Sequence, residues 1–229
     1  GGGGGGGLEV VQEGEVYRRY LAVYDRVVRF PTRGAEGGEG CGEGGERRGA
    51  MGPTGREVAF DVVGHPPDFR YAAVLPFHRA PGGGEVTLVR EWCQGPNRWM
   101  FGLPTGCFDA ARHASLEACA RAELSEEAAL RGGTWHALLP PGHTGLPEIK
   151  WGLNCMHPFL AIDPERDPSP GPRDAEEELL RAERVSLARL QELVLSGEML
   201  MPSVSAAIHA LQRLRQLGLL EGAAPVGLL

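Results

Sequence analysis

The chain has 229 residues, 42% of them hydrophobic and 23% charged, which suits one well-cored domain with a modest extension and is too little for two full domains. Its net charge of −7, with no clustered Lys/Arg stripe, argues against unaided binding to nucleic acid, because such binding rests on neutralising phosphates with basic side chains. No apolar run approaches the roughly 18 residues of a membrane span and none reads as a secretory signal. Five cysteines without Cys-x-x-Cys spacing suggest free thiols, so a soluble intracellular protein, cytoplasmic or organellar, is expected.

Residues 1–14, which include seven leading glycines, are expected to be a flexible N-terminus. The β-branched and aromatic types of residues 15–30 predict one or two strands. Residues 33–56 are dominated by Gly, Glu and Arg, too poor in apolar mass to order themselves, and read as a flexible insertion in a long hairpin. Strand character returns at 58–63, stops at Gly64-His-Pro-Pro67, and resumes at 71–76 and 86–90 across a glycine turn at 82–84. Residues 15–70 are thus expected to form an N-terminal β extension, residues 71–218 the main domain and residues 219–229 a flexible tail.

After the apolar run Arg98 to Gly102, Pro104 and Gly106 force a sharp turn, and a helix is predicted from an N-cap at Ser115 to Gly132. Three of its glutamates lie among apolar positions: at 100° per residue Glu123 and Glu127 flank the azimuth of Leu116, and Glu126 lies near that of Cys119. Like charges at this spacing repel by about 0.2–0.5 kcal/mol per pair, and apolar neighbours add a desolvation cost. A divalent cation of the magnesium type would offset both, and such ions share their shell with substrate phosphates. A surface helix with three solvated acids is the alternative. Downstream come a loop from Gly142 to Leu153 that holds Glu148, a strand at 156–162, the acidic run Asp174 to Glu178, and two amphipathic helices behind Ser186 and Ser203 whose leucine stripes read as core. The histidines lack metal-type pairing, and no Gly-x-Ser-x-Gly elbow or phosphate-binding glycine loop is present.

Gly106 followed by Glu123, Leu124, Glu126, Glu127 and Leu130 resembles the signature of the Nudix hydrolases. The order of strand, His-Pro, Ala-Val-Leu-Pro, Leu-Val-Arg, Trp99 and Leu-Pro-x-Gly is similar to the ADP-ribose and nucleoside-diphosphate-sugar diphosphatases of that superfamily. The signature Arg falls on Ala122, an earlier Glu on Ala114 and the late Gly on Ala129; the loop after Gly106 is two residues longer, and Gly102 stands where the subgroup carries a glutamate. Losing Glu and Arg together strands no partner, and stranding one member of a buried pair is what costs most.

The resemblance implies an α/β/α sandwich around a mixed sheet, with the N-terminal extension forming a homodimer. It implies Mg2+ or Mn2+ held by Glu123, Glu127 and the Thr105 backbone oxygen with Glu126 assisting, and a general base from the acidic loop at Glu178, with Glu177 and Glu148 as reserves. Arg90 and Trp99 are candidates for meeting the diphosphate and the base of a nucleoside-diphosphate-linked small molecule. Beside hydrolysis stand a degenerate module that binds a nucleotide or protein without turning it over, and a structural subunit packing through Ala118, Ala122 and Ala129.

Overall fold

The computed structural model describes residues 8–31, 55–81, 83–173 and 177–220, which fall into two compact units. The first holds residues 8–31, 55–66 and Trp151–Leu153. Its strands β1 (Glu9–Arg18), β2 (Ala22–Pro31) and β3 (Gly55–Gly64) form an antiparallel sheet in that order. The expected flexible N-terminus to residue 14 is corrected, since β1 begins at Glu9. A backbone ladder with β2 carries it from Glu9, opposite Arg29, to Arg18, opposite Ala22, and charge pairs stand beside the ladder: Arg29 bridges Glu9 at 2.9 Å and Glu57 at 2.8 Å, and Arg26 pairs with Glu13. The expected insertion over residues 33–56 falls mostly outside the described residues, while Gly55 and Arg56 belong to β3, paired with Pro31 and Phe30.

The second unit is built on an eight-stranded mixed sheet. Its path runs β10 (Leu146–Pro147), β11 (Cys155–Ile162), β4 (Arg70–His78), β5 (Glu85–Cys93), β13 (Arg181–Ser186), with β6 (Arg98–Gly102) on β5, β7 (Thr105–Cys107) on β4 and β9 (Thr134–Ala137) on β11. Only β11 and β4 pair in parallel. Strand β4 reads as a near-continuous apolar run because both of its faces are covered. Tyr71, Ala73, Leu75 and Phe77 join the core made with α2 (Leu187–Ser196) and α3 (Met201–Gln216). Ala72 and Val74 join a separate core with Cys119, Ala120, Leu124 and Ala128 of α1 (Leu116–Ala128). The unit is therefore the expected α/β/α sandwich.

Helix ends depart from the sequence reading in two places. Helix α1 stops at Ala128, because Ala129 adopts the left-handed conformation (φ 51°) and Leu130–Arg131 leave as β8, paired with β12 (Glu165–Arg166). Helix α3 starts at Met201, and Ser203 does not cap it: its hydroxyl accepts the Leu103 backbone N–H at 3.1 Å. Ser186 does cap α2, accepting from the Arg189 N–H at 3.2 Å. No described helix is long and apolar enough to cross a membrane.

Candidate active site

The turn after β6 is pinned from both sides. Val74 N–H donates to the Pro104 carbonyl at 3.0 Å, and Thr105 Oγ1 donates to the Leu103 carbonyl at 2.7 Å, so β7 is laid along β4 with Gly106 opposite Ala72. Gly106 then faces α1. A Cβ at that position would collide with the Glu123 carboxylate, so the glycine clears the space the acid occupies. The two extra residues that follow are taken up by a closed turn around Asp109: its side chain accepts from Ala111 N–H at 2.8 Å, and its carbonyl accepts from Arg112 and His113 at 3.0 and 2.7 Å. The chain then meets Ser115, whose hydroxyl accepts from Ala118 N–H at 3.1 Å and starts the helix. The longer loop therefore leaves Glu123 against Gly106.

Glu127 is 5% exposed, in the inward stripe of α1 with Cys119, Ala120, Leu124 and Ala128. Its Oε2 accepts the Thr105 backbone N–H at 3.0 Å. Glu123, Glu127 and Glu177 bring one carboxylate oxygen each within 4.8 Å of one another, in the one group of three or more potential metal ligands among the described residues. Burial, and then the charges of Glu123 and Glu177, push the Glu127 carboxyl well above the usual carboxylate range. The Thr105 N–H opposes that shift and Glu91 adds to it. Three acids held this close form a site that a hard cation with oxygen preference fits. Opposite charge among them would offset the repulsion that adds to burial in raising the Glu127 pKa.

Of the remaining candidates, Glu178 follows Glu177 in the chain and is exposed; Glu177, not Glu178, reaches the Glu123–Glu127 pair. Glu126 has its side chain against Gly171, where a Cβ would collide with it. Glu148 accepts from Asn154 Nδ2 at 3.1 Å and lies by the buried Tyr71 phenol, whose pKa is pushed up by burial and by that carboxylate. Thr105 meets the acids through its N–H.

Arg90 and Trp99 belong to the other side of the sheet. Arg90 alternates in register with Val86 and Leu88, which face α2 and α3; its guanidinium carbon lies 5.8 Å from the Trp99 ring and 5.5 Å from Phe101, and Trp99 meets Trp92 edge-on at 5.9 Å. They form a cation–aromatic platform.

Two residues escape the sequence reading. Glu91 shares the α1 side with Thr87 and Val89, and its Oε1 lies 3.8 Å from where a Cβ on Gly102 would be. A carboxylate thus reaches the space over Gly102 from the neighbouring strand; strict alternation along β5 is the signal that could have found it. Arg173 donates to the carbonyls of Glu126 (3.1 Å), Glu127 (2.8 Å) and Leu180 (2.8 Å), and no short-range pattern marks it, since its partners are 46 to 47 and 7 residues away.

No family model matches the sequence, and no curated protein does. Among solved structures the chain is similar to one described as a crystal structure of ADP compounds hydrolase, with a TM-score of 0.64 and 18% identity over 92% of this chain and 96% of that one. That likeness shows the fold: a mixed α/β architecture shared along nearly the whole length of both chains.

Proposed function

We propose that the chain is a Nudix-type hydrolase that cleaves the diphosphate linkage of a nucleoside diphosphate derivative of the ADP-ribose or nucleotide-sugar kind, with Mg2+ or Mn2+. The observation that carries the reading is the convergence of Glu123, Glu127 and Glu177 beside Gly106. The hydrolase on ADP compounds that shares the fold supports the substrate class.

Glu123 and Glu127 would hold the ion, with Glu177 adding its charge beside them and the Thr105 backbone oxygen as a further ligand; Glu126, turned against Gly171, stands outside that group. A divalent cation supplies Lewis-acid stabilisation of charge on the diphosphate oxygens. Glu177 orients the attacking water and takes its proton, a role it fills ahead of Glu178 because its carboxylate is the one beside the acids of α1. Water's oxygen bonds to phosphorus as the bond to the bridging oxygen breaks, and two phosphate monoesters leave. Thr105 N–H fixes one oxygen of Glu127, so the other would be the one to hold an ion. The Arg90–Trp99 platform is suited to stacking a nucleobase with a cation nearby.

The binding-module reading is favoured by Ala114 and Ala122, which leave the signature without its paired charges. Turnover of a panel of ADP-ribose and nucleotide sugars by purified protein, dependent on Mg2+ or Mn2+ and lost in Glu127→Gln, is the expected result. Nucleotide binding with no turnover at any metal concentration would leave the module as the better reading.

A homodimer is proposed with it. Strand β1 leaves Val10, Val16 and Tyr17, and its turn into β2 leaves Tyr20, each more than half exposed, an apolar load that a second copy would cover. Sedimentation should give a dimer at micromolar concentration, and a monomer there would sink this part.

A further inference from the structure

We infer that Arg173 is a positioning residue: a three-pronged clamp that ties the turn from Glu177 to Leu180 to the carbonyl end of α1 and so sets the third carboxylate against the other two. The inference rests on the metal reading of the preceding subsection. It starts from a gap in α1, whose last turn carries no basic residue although its last carbonyls lack helical partners. Arg173 fills that gap from outside the helix, with Nε on the Glu126 carbonyl and Nη2 on the Glu127 carbonyl. Its third prong, Nη1, takes the Leu180 carbonyl. Leu180 is 3% exposed, and its N–H donates to the Glu177 carbonyl at 2.9 Å.

One guanidinium thus joins three points. It holds the residue whose carboxylate sits deepest in the site, and it holds the far end of the turn that presents Glu177. The approach to Arg173 is stitched to the same helix end: Asp167 N–H donates to the Ala129 carbonyl at 2.8 Å, Ser125 Oγ donates to Asp167 at 2.7 Å, and Gly171 N–H donates to Ser125 Oγ at 3.1 Å. Those bonds fix the loop up to Gly171, and Arg173 reaches across to Leu180. A planar fork with donors in fixed directions can serve three carbonyls at once, whereas a lysine ammonium is a point charge on a flexible stem. Groups that orient metal-binding carboxylates from behind are worth roughly 10–100-fold in metal affinity or activity.

The test uses the full chain with Arg173→Ala, Arg173→Lys and Glu177→Gln, each read by amide hydrogen exchange and by direct Mn2+ titration without substrate. In Arg173→Ala, exchange of the peptide spanning 177–181 is expected to rise about tenfold while that of Leu124 stays unchanged, and Mn2+ affinity is expected to fall about tenfold. Arg173→Ala combined with Glu177→Gln should weaken Mn2+ by less than the product of the two single losses. Arg173→Lys, which keeps the charge at the helix end, should resemble Arg173→Ala. Full restoration by lysine overturns the fork. Unchanged exchange at 177–181 overturns the clamp, and faster exchange with unchanged Mn2+ affinity overturns the positioning role. A parent chain that binds no Mn2+ overturns the metal reading and with it any bearing of Arg173 on a metal; the exchange measurement then decides by itself whether the tie to Leu180 exists.

Discussion

Helices α1 and α3 cover opposite faces of one sheet, and they do it differently. Helix α3 buries Ala206, Ala207, Ala210, Leu211 and Leu214, with Ser203 as its one buried polar group, and that hydroxyl is satisfied by Leu103 N–H. Helix α1 buries small residues, Cys119, Ala120 and Ala128, around Leu124, and gives the fifth buried position to Glu127. Apolar burial is worth about 25 cal/mol per Å2, so a glutamate in such a stripe forgoes packing and adds desolvation. A fold can carry that load on one face because the other supplies an apolar layer whose one buried polar group is hydrogen-bonded. The comparison separates stability from chemistry: changes on α3 should act on folding, and changes on the acids of α1 should act on turnover.

The largest expected effects are on α3. Leu214→Ala removes a fully buried side chain and should destabilise by about 2–5 kcal/mol, read as a fall in melting temperature, with turnover per folded molecule unchanged. Loss of turnover in a folded Leu214→Ala protein would break the division. Glu123→Gln and Glu127→Gln should do the reverse, each lowering turnover at least about a hundredfold, or roughly 2.7 kcal/mol, at saturating Mg2+. Metal-free Glu127→Gln should be no less stable than its parent above the ordinary carboxylate range, because it removes a group whose ionisation burial and two neighbouring acids oppose.

The pH response sharpens the contrast. With its carboxyl raised, Glu127 in the metal-free folded protein keeps a proton that the unfolded chain has already released. Its contribution to stability is therefore greatest at low pH and is lost as pH rises from the ordinary carboxylate range through the raised folded value. Thermal unfolding without metal, followed upward from about pH 4.5, should show that loss, and it should flatten in Glu127→Gln. Mg2+ at a hundred times its dissociation constant should add about 2.7 kcal/mol at neutral pH. A parent and a Glu127→Gln variant with the same pH profile would remove Glu127 as the cause.

Much of this contrast is legible in the chain itself. The alternating and continuous apolar runs yield β4, β5 and β11, and the three-to-four-residue leucine spacing yields α2 and α3, because burial periodicity is a local property. The acids of α1 stand out by the same rule, as polar residues where the period calls for apolar ones. What escapes is non-local. Glu177 and Glu178 are equivalent in sequence, and only the turn closed by Leu180 distinguishes them. Glu91 gains meaning from a glycine on the adjacent strand, and Arg173 from carbonyls on a helix 46 residues away. The first half of β1, from Glu9 to Gly14, escapes for a different reason: its residues are nearly all exposed, and it is ordered by its backbone ladder with β2, with charge pairs beside it, which no hydrophobic pattern reports.

The smallest expected effect concerns the end of α1. The late glycine of the signature corresponds to Ala129, and the structure gives the physical reason a glycine suits that position: the residue closes the helix in the left-handed conformation, φ 51° and ψ 42°, with its N–H returned to the Ser125 carbonyl at 3.0 Å. For an alanine this conformation costs roughly 1–2 kcal/mol, whereas glycine adopts it freely. Glycine in turn has more backbone freedom to lose on folding, roughly 0.5–1 kcal/mol relative to alanine. Ala129→Gly should therefore stabilise by about 0.5–1 kcal/mol, a rise of about 2–4 °C in melting temperature at most for a chain of this size. Turnover should stay the same, because the Ala129 carbonyl still accepts from Asp167 and the acids lie upstream of the cap. A fall in melting temperature would show that the Ala129 methyl packs well enough to outweigh its strain, and a change in turnover would show that the cap and the acids of α1 are mechanically joined, which would blur the division between the two helices.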